Sequence, residues 1–392
     1  MKKFLVLLLT VILLASFSVF NTSAASNDIY VKNEATGDGS SVDKPFGTYE
    51  EAIEAAAKMT GDVTIHIVDN VTLSLVVTYD EPTHENTVTV TGGTIEITNG
   101  DSTLWGLGGK TIFKNVTFSL VSKLNMRTNF NDVTFDEGIQ VKSDKGYNIG
   151  LRSTSKDVID GYDILTGAFK ANPTVTLKSG SFEDVCCFQN GAPANLDGKF
   201  TVNVLGDVSI KNLVVCRNAY LTVADAEFNL MAGKIVRFTG ASDRSISAMN
   251  KSGFSGVTGT FTINVGAGFD LVNSFNEANT SDVFYGISGP SVYSDSASLL
   301  EKANYVLEID AGIYDALNNA NGEKVNFASF DKTEKTSFTP VITTTPTTTV
   351  APATTAGGEE TPATGDTSLF LLITASAMLC TAAAVLIKAK KN

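Results

Sequence analysis

The sequence predicts an all-β fold, a parallel β-solenoid, and three observations carry that expectation. Short runs alternate apolar and polar residues: Ile95-Glu96-Ile97, Val116-Thr117-Phe118, Val133-Thr134-Phe135, Val175-Thr176-Leu177, Val202-Asn203-Val204, Leu221-Thr222-Val223, Ile263-Asn264-Val265 and Leu307-Glu308-Ile309. Each has the period of two of a half-buried strand. Their starts step by 21 from Ile95 to Val116, by 19 from Val202 to Leu221, and by 42 and 44 at the next two intervals. Those last two fit double turns of about 21–22 residues, the spacing of a repeat whose coils bury their inward side chains only against their neighbours. The turns are mostly Ser-Gly, Gly-Asp or Ala-Gly, which suit corners; the competing β-sandwich calls for Asn-Gly hairpins.

Within a repeat a second apolar pair follows the turn, as in Phe182/Val185, Val208/Ile210, Phe228/Leu230 and Phe269/Leu271. These pairs predict a second strand per coil. The entry segment has its own order: the strand Ile29-Tyr30-Val31-Lys32, the turn Thr36-Gly37-Asp38-Gly39-Ser40-Ser41, then Lys44-Pro45-Phe46-Gly47-Thr48 and an amphipathic helix over Tyr49–Lys58 carrying Ala52, Ile53, Ala56 and Ala57.

That entry, over about Ile29–Val68, resembles the start of pectate-lyase-like right-handed parallel β-helix proteins. The resemblance implies a single-stranded right-handed coil whose short helix caps the open end and hides its strand edges from water. Gly37-Asp38-Gly39-Ser40 lacks the acidic spacing of a calcium loop and reads as a plain turn.

The two ends carry a different message. Lys2 and Lys3, the apolar stretch Phe4–Phe20 and the small residues Ser23-Ala24-Ala25 have the grammar of a signal peptide over 1–25. At the other end Thr361-Pro362-Ala363-Thr364-Gly365 precedes the apolar run 369–387 and the basic residues Lys388, Lys390 and Lys391. The run is long enough for a transmembrane helix with its basic tail inside. This arrangement resembles the cell-wall sorting signal of Gram-positive surface proteins. It implies that a sortase thiolate cleaves between Thr364 and Gly365 and passes the Thr carboxyl to a peptidoglycan amine. Pro362 bends the presented strand, and Gly365 leaves the Thr364 carbonyl open to attack. Thr361 stands where the family usually has Leu, which leaves the sortase class open.

Between the ends lie a globular domain over 26–335 and a linker over 336–360 dominated by Thr, Pro and Ala, which buries no core and reads as a disordered stalk through the wall. The chain of 392 residues has a formal charge of −13; removing both ends takes five lysines and Asp366 and leaves −17. Nucleic acid and anionic wall polymers demand counter-charge from Lys and Arg, so this acidic exterior excludes them as partners. Neutral glycans and extracellular proteins remain.

Catalytic chemistry finds no motif. Asp132/Asp136/Glu137, Glu183/Asp184 and Asp225/Glu227 are read as lying in or beside turns, and His66, opposite in parity to Ile65 and Ile67, as solvent-facing. Cys186 and Cys187 align with Val214-Val215-Cys216 as neighbouring copies of one unit, stacking as small hydrophobes. No metal ligand set and no cofactor motif is found. Binding is instead expected in period-breaking insertions, Ser143–Ala171, Ala241–Gly259 and Ser274–Ala303, whose Tyr147, Tyr162, Phe284, Tyr285 and Tyr293 offer rings for sugar stacking. Trp105 reads as corner packing. The expected function is a wall-anchored, non-enzymatic binding or adhesion module for a glycan or host protein; a surface polysaccharide lyase or hydrolase, and a structural envelope component, are the alternatives.

Overall fold

The computed structural model describes residues 27–73, 86–98, 110–127, 132–154, 172–188, 194–216, 221–239, 256–257, 259–275, 304–319 and 331–335. Its main ladder has as rungs β1 (Asp28–Val31), β2 (Val63–Ile67), β4 (Thr87–Thr91), β6 (Lys110–Lys114), β9 (Asp132–Phe135), β12 (Thr174–Phe188), β13 (Ala194–Cys216), β14 (Leu221–Leu230), β17 (Thr260–Val265), β18 (Asn304–Asp310) and β19 (Asp331–Lys335), each bonded to the next. A second sheet holds β3 (Asn70–Leu73), β5 (Thr94–Ile97), β7 (Thr117–Leu120) and β10 (Gln140–Lys142). The strands β8 (Leu124–Arg127), β11 (Ile149–Thr154) and β15 (Lys234–Thr239) pair along a third side with β12 and β13, and β16 (Gly256–Val257) pairs with β14. Neighbouring main-ladder rungs run parallel and follow each other in sequence, so the chain winds as a right-handed-type parallel β-solenoid.

Parity sets the core. One inward column runs in register through Ile29, Ile65, Val90, Phe113, Phe135, Leu177, Val204, Leu230, Val265 and Ile309. None of these is more than 1% exposed. A parallel column two residues earlier on each rung runs Val63, Val88, Thr111, Val133, Val175, Val202, Phe228, Ile263 and Leu307. Burial of each such Val, Leu or Phe stabilises by about 1.5–3 kcal/mol over its exposed state. Ring pairs tighten the middle of the coil, with Phe113 and Phe135 stacked at 5.2 Å and Phe228 edge-on to Phe261 at 5.1 Å.

The corners are glycine-dependent where backbone meets backbone. A Cβ on Gly206 would stand 2.1 Å from the Lys178 carbonyl oxygen of the coil before it, and Gly233 turns the next coil at a φ of 72°. Both belong to the Gly-Asp and Ala-Gly turns that the sequence marks as corners.

The capping helix forms as expected. In α1 (Tyr49–Lys58) Thr48 accepts from the Glu51 N–H, and the Glu51 carboxylate accepts from the Thr48 N–H, closing a capping box. Tyr49, Ala52 and Ala56 form its buried stripe. A second helix, α2 (Tyr314–Asn319), buries Leu317.

The repeat length differs from the expectation. The rung partner of Val202 is Phe228, not Leu221, which pairs with Ala194. The step of 19 therefore joins strands on different sides of the coil. Ile95 likewise pairs with Phe118 rather than with Val116. The interval of 44 from Ile263 to Leu307 is one coil and not two, because β17 and β18 are direct neighbours. Insertions lengthen a coil without disturbing its register, since only the rungs must stack.

Among the described residues no helix is long and apolar enough to cross a membrane. The predicted signal peptide, the linker, the sorting motif and the expected helix over 369–387 lie outside the described residues.

Candidate functional site

Two polar lines run along the coil. On the main ladder the residues of opposite parity to the core form the column Thr134, Thr176, Asn203, Asn229, Asn264 and Glu308. Asn264 Nδ2 donates to Asn229 Oδ1 at 2.7 Å, Asn229 Nδ2 to Asn203 Oδ1 at 2.8 Å, and Asn203 Nδ2 to Thr176 Oγ1 at 3.2 Å. Four successive rungs are thereby tied by side chains that are all buried. The direction of the line is set from the side: Lys199 Nζ lies 2.6 Å from Glu227 Oε2, and Glu227 Oε1 accepts a second bond from Asn229 Nδ2 at 3.1 Å. That carboxylate requires the amide of Asn229 to present nitrogen, which fixes its neighbours in turn.

The third side carries the other line. Asp184, Asn212 and Arg237 stand in register on consecutive coils. Asn212 Nδ2 donates to Asp184 Oδ1 at 2.8 Å, and an Arg237 guanidinium N–H donates to Asn212 Oδ1 at 3.5 Å. Asp184 is buried, as are Cys186 and Val214 one step further along. Beside it Lys211 Nζ meets Glu183 Oε1 at 2.7 Å.

Just beyond this line four strands end. Thr154, Phe188 and Cys216 end their strands at one level, in register Thr154 with Phe188 and Phe188 with Cys216. Thr239 pairs with Val214 and ends β15 beside them. Strands β11, β12, β13 and β15 therefore end along one edge of the third side, beyond the acid, the amide and the guanidinium. An edge at which several strands of a rigid scaffold end is a common place for a binding face.

The remaining acids act as couplers between coils. Asp62 Oδ1 accepts the Thr87 N–H at 3.1 Å, Asp132 Oδ1 the Thr174 N–H at 2.8 Å, and Asp225 Oδ1 the Thr260 N–H at 2.7 Å, each at the entry to the next rung. Asp136 pairs with Lys178 at 2.9 Å. Burial works to raise its pKa, and the Lys178 ammonium and the Glu137 N–H outweigh that and hold the carboxyl below the usual range. Of the acids expected in or beside turns, Asp136 and Glu137 sit there, whereas Asp132 opens β9 and Glu183, Asp184, Asp225 and Glu227 lie within strands. A single charged residue does not break the alternation, so its environment was not visible locally.

Comparison with protein-family models, with curated proteins and with solved structures finds no match. The fold rests on the strand pairing itself, which is consistent with a pectate-lyase-like coil.

Of the aromatic residues singled out from sequence, Tyr147 is described: it is half-buried against the core, its N–H donates to Ser143 Oγ at 3.1 Å, and Lys145 Nζ sits 6.0 Å from its ring centre. It pins a turn rather than offering an open ring. Tyr162, Phe284, Tyr285, Tyr293 and Trp105 lie outside the described residues, as do Thr361, Pro362, Ala363, Thr364 and Gly365. The insertions are also shorter than their expected bounds, because Ile149–Thr154 and Gly256–Val257 are strands and Ser274 is fully buried, donating to the Asp270 carbonyl. His66 keeps its outward parity and is not simply solvated: its Nε2 lies 2.8 Å from Asp28 Oδ1, and its ring stacks on Tyr30 at 4.9 Å. Cys186 and Cys187 are buried, and Cys186 stands in register with Val214. Among the described residues no group of three or more His, Cys, Asp or Glu could hold a metal ion.

Proposed function

We propose that this chain is an exported cell-surface protein, attached to peptidoglycan by a sortase acting between Thr364 and Gly365, and that it binds an extracellular glycan or protein without transforming it. The binding face is the corner at the end of the third side. The observation that supports this reading is that β11, β12, β13 and β15 end along one edge beside the line Asp184, Asn212 and Arg237. The coil holds those strand ends at rung spacing. The acidic balance of the chain favours neutral or basic ligands over polyanions.

The test is a glycan-array and protein-binding screen on the full chain, followed by titration of a variant in which 240–255 is replaced by a short Gly-Ser turn. Loop-closure entropy changes slowly with length, so the melt is expected to hold while affinity falls. Unchanged affinity with an unchanged melt removes that segment from the site.

A second reading, a surface polysaccharide lyase or hydrolase, is favoured by one observation: a carboxylate and a guanidinium share one face. Incubation with a panel of polysaccharides, read as new reducing ends or unsaturated sugars, separates the two readings.

A further inference from the structure

We infer that β19 is an end stop, which keeps a second copy of this chain from adding to the C-terminal end of the coil. A parallel solenoid has two dangerous ends. Each presents a row of unpaired backbone groups and a cross-section of core, the template that drives edge-to-edge association.

At the first end the chain covers itself. On the open side of β1, Tyr30 N–H donates to the Gly39 carbonyl at 2.9 Å, Phe46 N–H to the Tyr30 carbonyl at 2.8 Å, and Lys32 N–H to the Phe46 carbonyl at 2.9 Å. Helix α1 packs its buried stripe beside this strand. No edge of β1 remains there for a partner strand.

The last end is treated by charge. The sequence of β19 is Asp331-Lys332-Thr333-Glu334-Lys335, with no apolar residue. Register matters more than composition. Lys332 stands opposite Leu307 and Glu334 opposite Ile309, the final residues of the two inward columns. Leu307 and Ile309 are 0% exposed, and Glu334 is exposed. Every earlier position of the column from Ile29 to Ile309 is apolar, so the switch to charge falls on the one rung that has no described rung after it.

Because the β1 edge is already bonded, a second copy meets this end through its own β19. Such an isologous pairing of two edges would bury Lys332 and Glu334 against a partner that offers no apolar surface in return. Charge on a terminal strand, in register with the apolar columns, blocks this contact while still allowing β19 to cover β18.

The experiment is sedimentation velocity on the full chain in nonionic detergent, over a hundredfold range of concentration, with a melt recorded for each variant. The parent and a charge-swapped K332E/E334K chain are expected to sediment independently of concentration. K332V/E334V, which continues both apolar columns outward, is expected to move to a dimer or larger as concentration rises, and E334V alone to do so more weakly. A K332V/E334V chain that melts like the parent and stays monomeric at the highest concentration overturns the inference. So does loss of folding in both Val variants, which would place the two charges inside the coil rather than at its rim.

Discussion

Asn229 donates its side-chain amide to Asn203 Oδ1 across 2.8 Å, linking one rung of the main ladder to the next. Both side chains are buried on the outward face, so the bond is made where water does not compete for it. Replacing Asn229 with Ala leaves Asn203 Oδ1 and the Asn264 amide without their partners. An unsatisfied buried group costs about 1–3 kcal/mol. Asn229→Ala is therefore expected to lower stability by about 2 kcal/mol or more, whereas Asn203→Thr, which keeps a hydroxyl in the line, loses less. Denaturant melts of the two variants check the order.

Thr111 is the one polar residue in the inward column between Val88 and Val133, and its hydroxyl is buried without a hydrogen-bond partner among the described residues. Valine has the same shape and no polar atom to desolvate. Thr111→Val is expected to stabilise the coil by about 1 kcal/mol. A lower melting temperature than the parent would show that the hydroxyl is satisfied by a group that water or a shifted neighbour supplies.

The pairing of Asp136 with Lys178 gives a pH dependence of known sign. Its folded pKa lies below the unfolded value of about 3.9. The carboxylate therefore contributes stability that is fully present above about pH 4 and is lost as pH falls through the folded value. In Asp136→Asn the melting temperature should fall less steeply on acidification below pH 4 than in the parent, and Lys178→Met should act in the same direction. Parallel acid profiles for all three chains would remove this pair as a source of acid sensitivity.

Asp184 distinguishes charge from hydrogen bonding. Asp184→Asn keeps an oxygen for the Asn212 amide, while Asp184→Ala removes it and leaves that amide with the Glu183 carbonyl at 3.2 Å. The expected cost is about 1–3 kcal/mol for the alanine variant and under about 1 kcal/mol for the asparagine variant. Equal losses would mean that the Asn212 hydrogen bond alone does not hold this side together.

The proposed anchor is tested in cells. Thr364→Ala and Gly365→Ala should both move the protein from the muramidase-released wall fraction to the membrane or the medium. Retention of either variant in the wall fraction at the parent level argues against attachment at that bond.

How much was legible depended on distance along the chain. The inward parity of Val175, Leu177, Val202, Val204, Ile263 and Val265 is a local property, and it reads correctly because a strand alternates its faces whatever it packs against. The capping box of Thr48 and Glu51 is local for the same reason. The step between rungs is not local. The intervals of 26 from Asn203 to Asn229 and 35 from Asn229 to Asn264 are set by how much chain leaves the coil between rungs. An apolar triplet such as Leu221-Thr222-Val223 looks the same on any side of the coil.

By itself the sequence determined that the chain would form short parallel strands, which side chains would face inward, where α1 would begin, and what the two ends resemble. Only the tertiary structure decided that Lys332 and Glu334 fall on the columns of Leu307 and Ile309, that Asp184, Asn212 and Arg237 align, and that four strands end along one edge. The physical reason is that register between coils is fixed by the stacking of the core as a whole. A polar residue inherits its neighbours from that register, and no pattern within its own strand records them.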